Sequence, residues 1–448
     1  MTPSWRDRFT SCDPRTGEVF FQRDAWPDEA LNEALARSRL AARRQALLDV
    51  PARGMALLRL ADALDAAVPV LADMVHREMG KLRPEAEDEV VRSAKWCRFM
   101  ASHAPAWLAE EHNAAGRVQR RPLGVVLAIT PWNYPVWQLL RPLAAALAAG
   151  NAILLKPANN VPQTSALVES ICREVLPADL VQVLWTDELG THKAIAHPST
   201  SLLVCTGSEN TGRQLANIAA HHLKPAVLEL GGNNALVVLD DADVEAAAQA
   251  AAHSRCLNAG QACTAAKRFI VMAPVARRFE SALLAALSHY RCGDTLAPLA
   301  RADLRSKLAG QVGQSLEQGA RLLLGGQPAG GRGYYFPATV LTDVHPGMPA
   351  FDEELFGPVA VLTVAETEAD ALGLANASRQ QLAASVWSGD RARAEAFARA
   401  LQAGMVCFNS RPTSRFELPF AGHGASGYGS VLGREGLLTF TRPVSWLG

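Results

Sequence analysis

A glutamate and a cysteine stand in two short, distinctive strings: Glu229 in Leu228-Glu229-Leu230-Gly231-Gly232 and Cys263 in Gly260-Gln261-Ala262-Cys263. Together they read as base and nucleophile. A thiol with an ordinary pKa of ~8.5 is already partly thiolate at neutral pH, and a nearby carboxylate can assist its activation and later activate water. Taken singly, each has a plainer reading, the cysteine as a small buried hydrophobe and the glutamate as the end of a strand.

Pro131-Trp132-Asn133-Tyr134-Pro135 carries a third chemical group. It follows the end of a predicted strand, where open α/β sheets place ligand-binding loops, and its two prolines stiffen the turn. An Asn133 amide fixed there, beside the backbone N–H of Cys263, is suited to donate to a developing oxyanion. A simple turn asparagine is the alternative.

The elements that must position these groups follow from apolar periodicity. Residues 28–112 read as nearly continuous helix, with breaks near Pro51, Pro69 and Pro84. From 124 the pattern alternates: strands at 124–129, 152–155, 181–184, 202–205 and 226–230, with helices at 137–149, 162–175 and 208–219. Short apolar strands separated by helices imply a parallel sheet covered on both faces. A second alternation has strands at 235–239 and 268–272 and helices at 243–257 and 275–289, so a domain boundary falls near Gly231-Gly232. The glycine-rich 325–333 segment has no helix pattern after it and reads as a hairpin loop rather than a phosphate loop. His221-His222 reads as part of a helix-to-strand connection.

The chain has 448 residues, enough for two to three domains, and its 44 Lys and Arg balance 44 Asp and Glu. That balance leaves no electrostatic footprint for nucleic acid or an anionic membrane, and points to a small-molecule partner. Met1-Thr2-Pro3-Ser4-Trp5-Arg6-Asp7 lacks the apolar core of a secretory signal, and no uninterrupted apolar stretch is long enough to span a bilayer. The reading is a soluble cytoplasmic protein. Eight cysteines lie scattered without a Cys-x-x-Cys pair, which argues against a disulfide scaffold or a structural zinc, and no histidine spacing suggests a metal.

Pro-Trp-Asn-Tyr-Pro, Leu-Leu-Lys-Pro-Ala at 154–158, Thr-Gly-Ser at 206–208, Leu-Glu-Leu-Gly-Gly, Gly-Gln-Ala-Cys and Glu-Leu-Phe-Gly-Pro at 354–358 occur in the order and spacing of the aldehyde dehydrogenase superfamily. The sequence resembles that family over nearly its whole length. The resemblance implies an α/β fold of two doubly wound domains plus a small β oligomerisation arm. It gives residues 1–110 and 124–228 to NAD(P) binding, 229–408 to catalysis, and 111–123 and 425–448 to the arm of a homodimer or homotetramer. It also implies Cys263 as nucleophile, Glu229 as base and Asn133 as oxyanion donor. Thr130, Trp132, Lys156, Asn159, Gly207, Ser208, Glu354 and Phe356 are then the cofactor residues. Gly207 and Gly212 match the family's Gly-x4-Gly spacing, at a helix N-terminus suited to a pyrophosphate.

Within the family, the sequence is most similar to short bacterial succinate-semialdehyde dehydrogenases. Arg141, eight residues beyond Asn133, matches an arginine that clamps the substrate's distal carboxylate there, and Ser426 matches a serine with the same task. A bidentate guanidinium suits a carboxylate; pairing of Arg141 with an acid of its own helix is the alternative. Three departures stand out. Pro419-Phe420-Ala421-Gly422-His423-Gly424-Ala425-Ser426-Gly427 replaces the usual Pro-Phe-Gly-Gly-x-Lys-x-Ser-Gly. Leu257 stands where some members have a second carboxylate-binding arginine, with Arg255 two residues away, and Cys205 replaces a common phenylalanine. The reaction implied is NAD- or NADP-dependent oxidation of a short carboxylate-bearing aldehyde, succinate semialdehyde first. Glutarate semialdehyde, an uncharged aliphatic aldehyde, acyl transfer to coenzyme A and a non-enzymatic binding protein are the competing expectations.

Overall fold

The computed structural model describes residues 8–447. Met1–Asp7, read above for a secretory signal, and Gly448 lie outside them. Four helices open the α/β body: Asp28–Ala46, Val50–Ala66, Val68–Met79 and Arg83–Trp107. Pro51, Pro69 and Pro84 sit in the first turns of the last three, so the prolines that suggested breaks are helix starts, where a missing N–H costs nothing. Asp49 caps the second of these four helices by accepting from Ala52 N at 2.8 Å. The helical run ends at Trp107 rather than 112, because Glu111–Asn113 leaves to pair as a strand with Gly116–Pro122.

The first sheet has six strands in the order Gly427–Tyr428, Ala226–Glu229, Thr200–Thr206, Val125–Ile129, Ala152–Lys156 and Val181–Val183. All neighbours are parallel except the two-residue edge strand at 427–428. Helix Pro135–Ala149 is buried at every position, so its sequence is apolar apart from Gln138 and Arg141, which line a cavity described below. The second sheet runs Arg321–Leu324, Thr339–Thr342, Val359–Ala365, Ala266–Met272, Asn234–Val238, Ala383–Trp387 and Met405–Phe408. Leu236 and Val238 face one core while Ala235, Val237 and Leu239 face another, the alternation of a strand buried on both sides. Arg321–Leu324 and Thr339–Thr342 are antiparallel, so the glycine-rich 325–333 segment between them is a hairpin loop, as its sequence suggested.

A third sheet joins Thr441–Leu447, Gly116–Pro122 and Glu111–Asn113. Of the 425–448 segment expected in the arm, only Thr441–Leu447 belongs to this sheet, because Gly427–Tyr428 pairs with Ala226–Glu229 instead. An N-terminal hairpin, Arg8–Asp13 with Glu18–Asp24, precedes the helices. No helix among the described residues is long and apolar enough to cross a membrane.

Candidate active site

Parallel strands deliver their carboxyl ends to one edge, and most of the chemistry-bearing residues collect there. Lys156, Thr206 and Glu229 are the last residues of their strands, Thr206 pairs in register with Glu229, and Thr130 follows Ile129 directly. Cys263 comes from the second sheet, on the turn that leads into Ala266–Met272. Asn258, Ala259 and Gly260 precede it at φ of 52°, 52° and 72°, three successive left-handed residues of which two are not glycine. Such strain persists only where the surroundings enforce it. Here Asn258 N donates to Glu85 Oε1 at 3.0 Å, Asn258 Nδ2 to the Asn133 carbonyl at 2.9 Å, and Arg255 Nη2 to the Gly260 carbonyl at 2.6 Å.

Cys263 stands where two cavities meet. A cleft of about 660 Å³ holds Thr130, Trp132, Gly207, Ser208, Glu229, Glu354 and Phe356. A second cavity of about 330 Å³ is lined by Tyr134, Arg141, Leu257, Arg92, His253 and Arg411. Asn133, Gln138 and Cys263 line both. The Cys263 thiol is pushed up to about 11 by burial, while Lys267 and Arg141 pull it down and Glu354 and Glu229 push it further. Glu229 is 2 % exposed, neither carboxylate oxygen has a hydrogen-bond partner among the described residues, and burial raises its pKa to about 8 against the pull of Arg141. A carboxyl poised near neutrality suits proton transfer. Asn133 Nδ2 donates one hydrogen to the Gln261 carbonyl at 2.9 Å, leaving its second N–H for another acceptor.

Arg141 is 4 % exposed, with Nη2 donating to Thr206 Oγ1 at 2.7 Å and Nε unpartnered. No carboxylate lies within ion-pair distance of it among the described residues, so the helix-acid alternative finds no partner. Ser426 departs from expectation. It is fully buried, lines neither cavity, and donates its hydroxyl to the Gly231 carbonyl at 2.6 Å, because the edge strand beside it folds against Ala226–Glu229. The substrate-binding role expected for Ser426 is therefore replaced by a structural one. Arg255 is spent on the carbonyls of Ala266 and Gly260, whereas Leu257 does line the second cavity. Arg92 and Arg411 escaped the sequence reading, since they lie 319 positions apart with no motif joining them. Lys267 was also missed, although it stands only four residues after the thiol.

The cleft fits a nicotinamide dinucleotide. Thr130 Oγ1 is buried without a partner among the described residues, a Cβ added at Gly207 would meet no described atom within 4 Å, and one added at Gly231 would lie 2.2 Å from Glu354 Oε2. Gly212 lets its helix approach Leu230, whose Cδ2 would stand 2.5 Å from an added Cβ. Ser208 caps that helix by accepting from Thr211 N at 3.2 Å, and the Trp132 and Phe356 rings meet edge-on at 5.7 Å. Lys156 and Asn159 lie in an adjoining cleft of about 710 Å³ that shares Ile129, Ala158, Thr211 and Arg301 with the first. Lys156 Nζ donates to Asn159 Oδ1 at 2.6 Å, and burial pulls its pKa down to about 8.

A thiol between a dinucleotide-shaped cleft and a second cavity is an arrangement competent for cysteine-based oxidation of a carbonyl compound. Comparison with known proteins makes the class specific. The aldehyde dehydrogenase family profile matches residues 2–445. The NAD(P)+ succinate semialdehyde dehydrogenase Sad of Escherichia coli strain K12 is 38 % identical over 441 residues, covering 96 % of each chain. The NADP+ succinate-semialdehyde dehydrogenase 1 of Mycobacterium ulcerans strain Agy99 is 38 % identical over 403 residues, 87 % of this chain and 88 % of that one. The crystal structure of succinic semialdehyde dehydrogenase from Streptococcus pyogenes in complex with NADP+ superposes with a TM-score of 0.95 at 30 % identity, covering 98 % of this chain and 100 % of that chain. The chain belongs to the aldehyde dehydrogenase family and is an enzyme that oxidises aldehydes with NAD or NADP.

Proposed function

We propose that this enzyme oxidises a short aldehyde bearing a distal carboxylate, succinate semialdehyde first and glutarate semialdehyde next, to the corresponding acid. The observation that carries the reading is Arg141, a buried guanidinium with no acid within ion-pair distance among the described residues, lining the cavity that Cys263 also lines. Arg92 and Arg411 add positive charge to the same cavity. Of the acids there, Asp88 is exposed to solvent, Glu89 is committed to Lys81 and to the N–H groups of Val136 and Trp137, and Glu85 to Asn258 N. The names of the relatives support the same substrate.

Cys263 Sγ attacks the aldehyde carbon, and the oxyanion that forms accepts from the free Asn133 N–H and the Cys263 backbone N–H. When bound, the nicotinamide supplies the hydride acceptor. Thr130, Trp132, Glu354 and Phe356 would hold that end of the cofactor, Gly207 and Ser208 its pyrophosphate, and Lys156 and Asn159 its adenosine ribose. Loss of hydride leaves a thioester on Cys263. Glu229 takes a proton from water, the hydroxide attacks the thioester carbon, and the acid leaves as the thiolate is restored.

A panel of aldehydes run with NAD and with NADP, with products analysed in the presence and absence of coenzyme A, tests the reading. The expected result is highest kcat/KM for succinate semialdehyde and free acid as product. A preference for uncharged aldehydes would sink the substrate assignment, and acyl-coenzyme A as product would sink the hydrolytic role of Glu229. Cys263→Ala should abolish turnover while leaving cofactor binding nearly intact. The three-stranded sheet of Thr441–Leu447, Gly116–Pro122 and Glu111–Asn113 supports assembly as a homodimer or homotetramer, which sedimentation of the purified protein would check, and the cytoplasmic location we assign it would be checked by cell fractionation.

A further inference from the structure

Lys267 is the second residue of strand Ala266–Met272, yet its side chain is 1 % exposed and turned into the active site. The cause is local. Asn234 pairs with Ala266 and Ala235 with Arg268, so the register shifts and Lys267 is left as an extra, bulged residue. A bulge beside an active site re-aims a side chain. The ammonium that results lies 3.2 Å from the carbonyl of Ala262, 3.2 Å from that of Cys263 and 3.3 Å from that of Ala265. Its fourth neighbour is Glu354 Oε1, at 3.1 Å. That same oxygen accepts from Gly232 N at 3.1 Å, and the Cys263 carbonyl also accepts from Asn234 Nδ2 at 2.6 Å.

One buried charge thus touches the nucleophile's own backbone and the carboxylate facing the dinucleotide cleft. Satisfying three carbonyls alone would not require it to be paired with a cleft-lining acid. An ammonium removed from water needs both, and losing either partner leaves an uncompensated buried charge.

We propose that Lys267 is a positioning residue that couples the Cys263 turn to Glu354, holding the thiol and the cofactor-binding carboxylate in one fixed arrangement. The inference rests on the assignments of Cys263 and Glu354 made above. Its consequences are twofold. Glu354 keeps Oε2 free to grip a ribose hydroxyl while Oε1 is anchored, and the positive charge of Lys267 favours the Cys263 thiolate. The charged and titratable groups facing that sulfur are Lys267, Arg141, Glu354, Glu229 and Tyr134, and those facing Lys267 are Glu354, Arg255 and Cys263.

The test reads the pH dependence of iodoacetamide labelling at Cys263, followed by mass spectrometry of the peptide holding it, together with the cofactor KM. In Lys267→Met the labelling midpoint should rise by about one pH unit or more, and the KM for NADP by about tenfold. Lys267→Arg should restore most of both. Glu354→Gln, which does not depend on the bulge surviving substitution, should move the labelling midpoint the other way. A folded Lys267→Met protein with an unshifted midpoint and cofactor KM would overturn the coupling, and so would an unshifted midpoint in Glu354→Gln. Turnover retained by Cys263→Ala would overturn the parent reading and this inference with it.

Discussion

Asn133 and Gln261 are tied across 128 positions of sequence by a single 2.9 Å hydrogen bond, from the Asn133 amide to the Gln261 carbonyl. The bond spans the two sheets. Asn258 reinforces it by donating to the Asn133 carbonyl, and Gln261 is held in turn by Ala300 N, which donates to its Oε1 at 2.9 Å. The amide proposed to receive the oxyanion is thereby fixed to the turn that carries the attacking sulfur.

Asn133→Ala should therefore do two separable things. Removing an oxyanion donor costs about 10²–10³ in kcat, whereas the Gln261 carbonyl keeps Asn258 Nδ2 as a donor at 3.3 Å, so losing the Asn133 hydrogen bond lowers stability by about 0.5–1.5 kcal/mol. Single-turnover hydride transfer and a denaturant melt measure the two. A large melt shift with an unaltered rate of hydride transfer would make Asn133 a cross-link only.

Glu229→Gln should leave acylation faster than deacylation, so that a pre-steady-state burst of NADPH precedes a slow steady rate. The pH dependence carries the sign. Glu229 is held up to about 8, so the base form grows as pH rises, and the wild-type deacylation rate should climb through about pH 8 and level off above it. The glutamine variant should lose that rise. Equal loss of burst and steady rate would place Glu229 in thiol activation instead.

Much of this arrangement was readable in the chain because strands and helices of an α/β body carry strong apolar periods. The helix read at 162–175 spans Pro162–Val175, and the strand read at 226–230 ends one residue early, at Glu229. What escaped has physical causes. Gly427–Tyr428 is too short for a period, so its pairing beside Glu229, and with it the burial of Ser426, was invisible. Lys267 looked like any charged residue in an apolar run, since a register shift leaves no mark on composition. Arg92 and Arg411 face one cavity through tertiary folding alone.

Arg141→Ala should raise KM for succinate semialdehyde far more than for an uncharged aldehyde of similar length. A charge-assisted contact is worth about 1.5–3 kcal/mol, or about tenfold to a hundredfold. The contact of Arg141 with Thr206 adds a second, substrate-independent cost, so the ratio of the two KM values is the informative quantity. An unchanged ratio would assign Arg141 to the scaffold.

Cofactor choice turns on Asn159. Its Oδ1 accepts from Lys156 Nζ at 2.6 Å, in the cleft that adjoins the one holding Cys263. An amide there neither repels a 2′-phosphate nor excludes a free hydroxyl, and Lys156 offers a cation, although burial draws its pKa down to about 8. Glutamate at this position would take the lysine as its own ion-pair partner and set a negative charge against the phosphate. Asn159→Glu should therefore lower kcat/KM with NADP more than with NAD, by about tenfold or more in the ratio. The wild-type ratio of kcat/KM with NADP to that with NAD should also fall above about pH 8, as Lys156 loses its proton. Steady-state kinetics with both cofactors from pH 6 to pH 9 would check both effects. A ratio indifferent to the substitution would show that selection between the two is made elsewhere in the cleft.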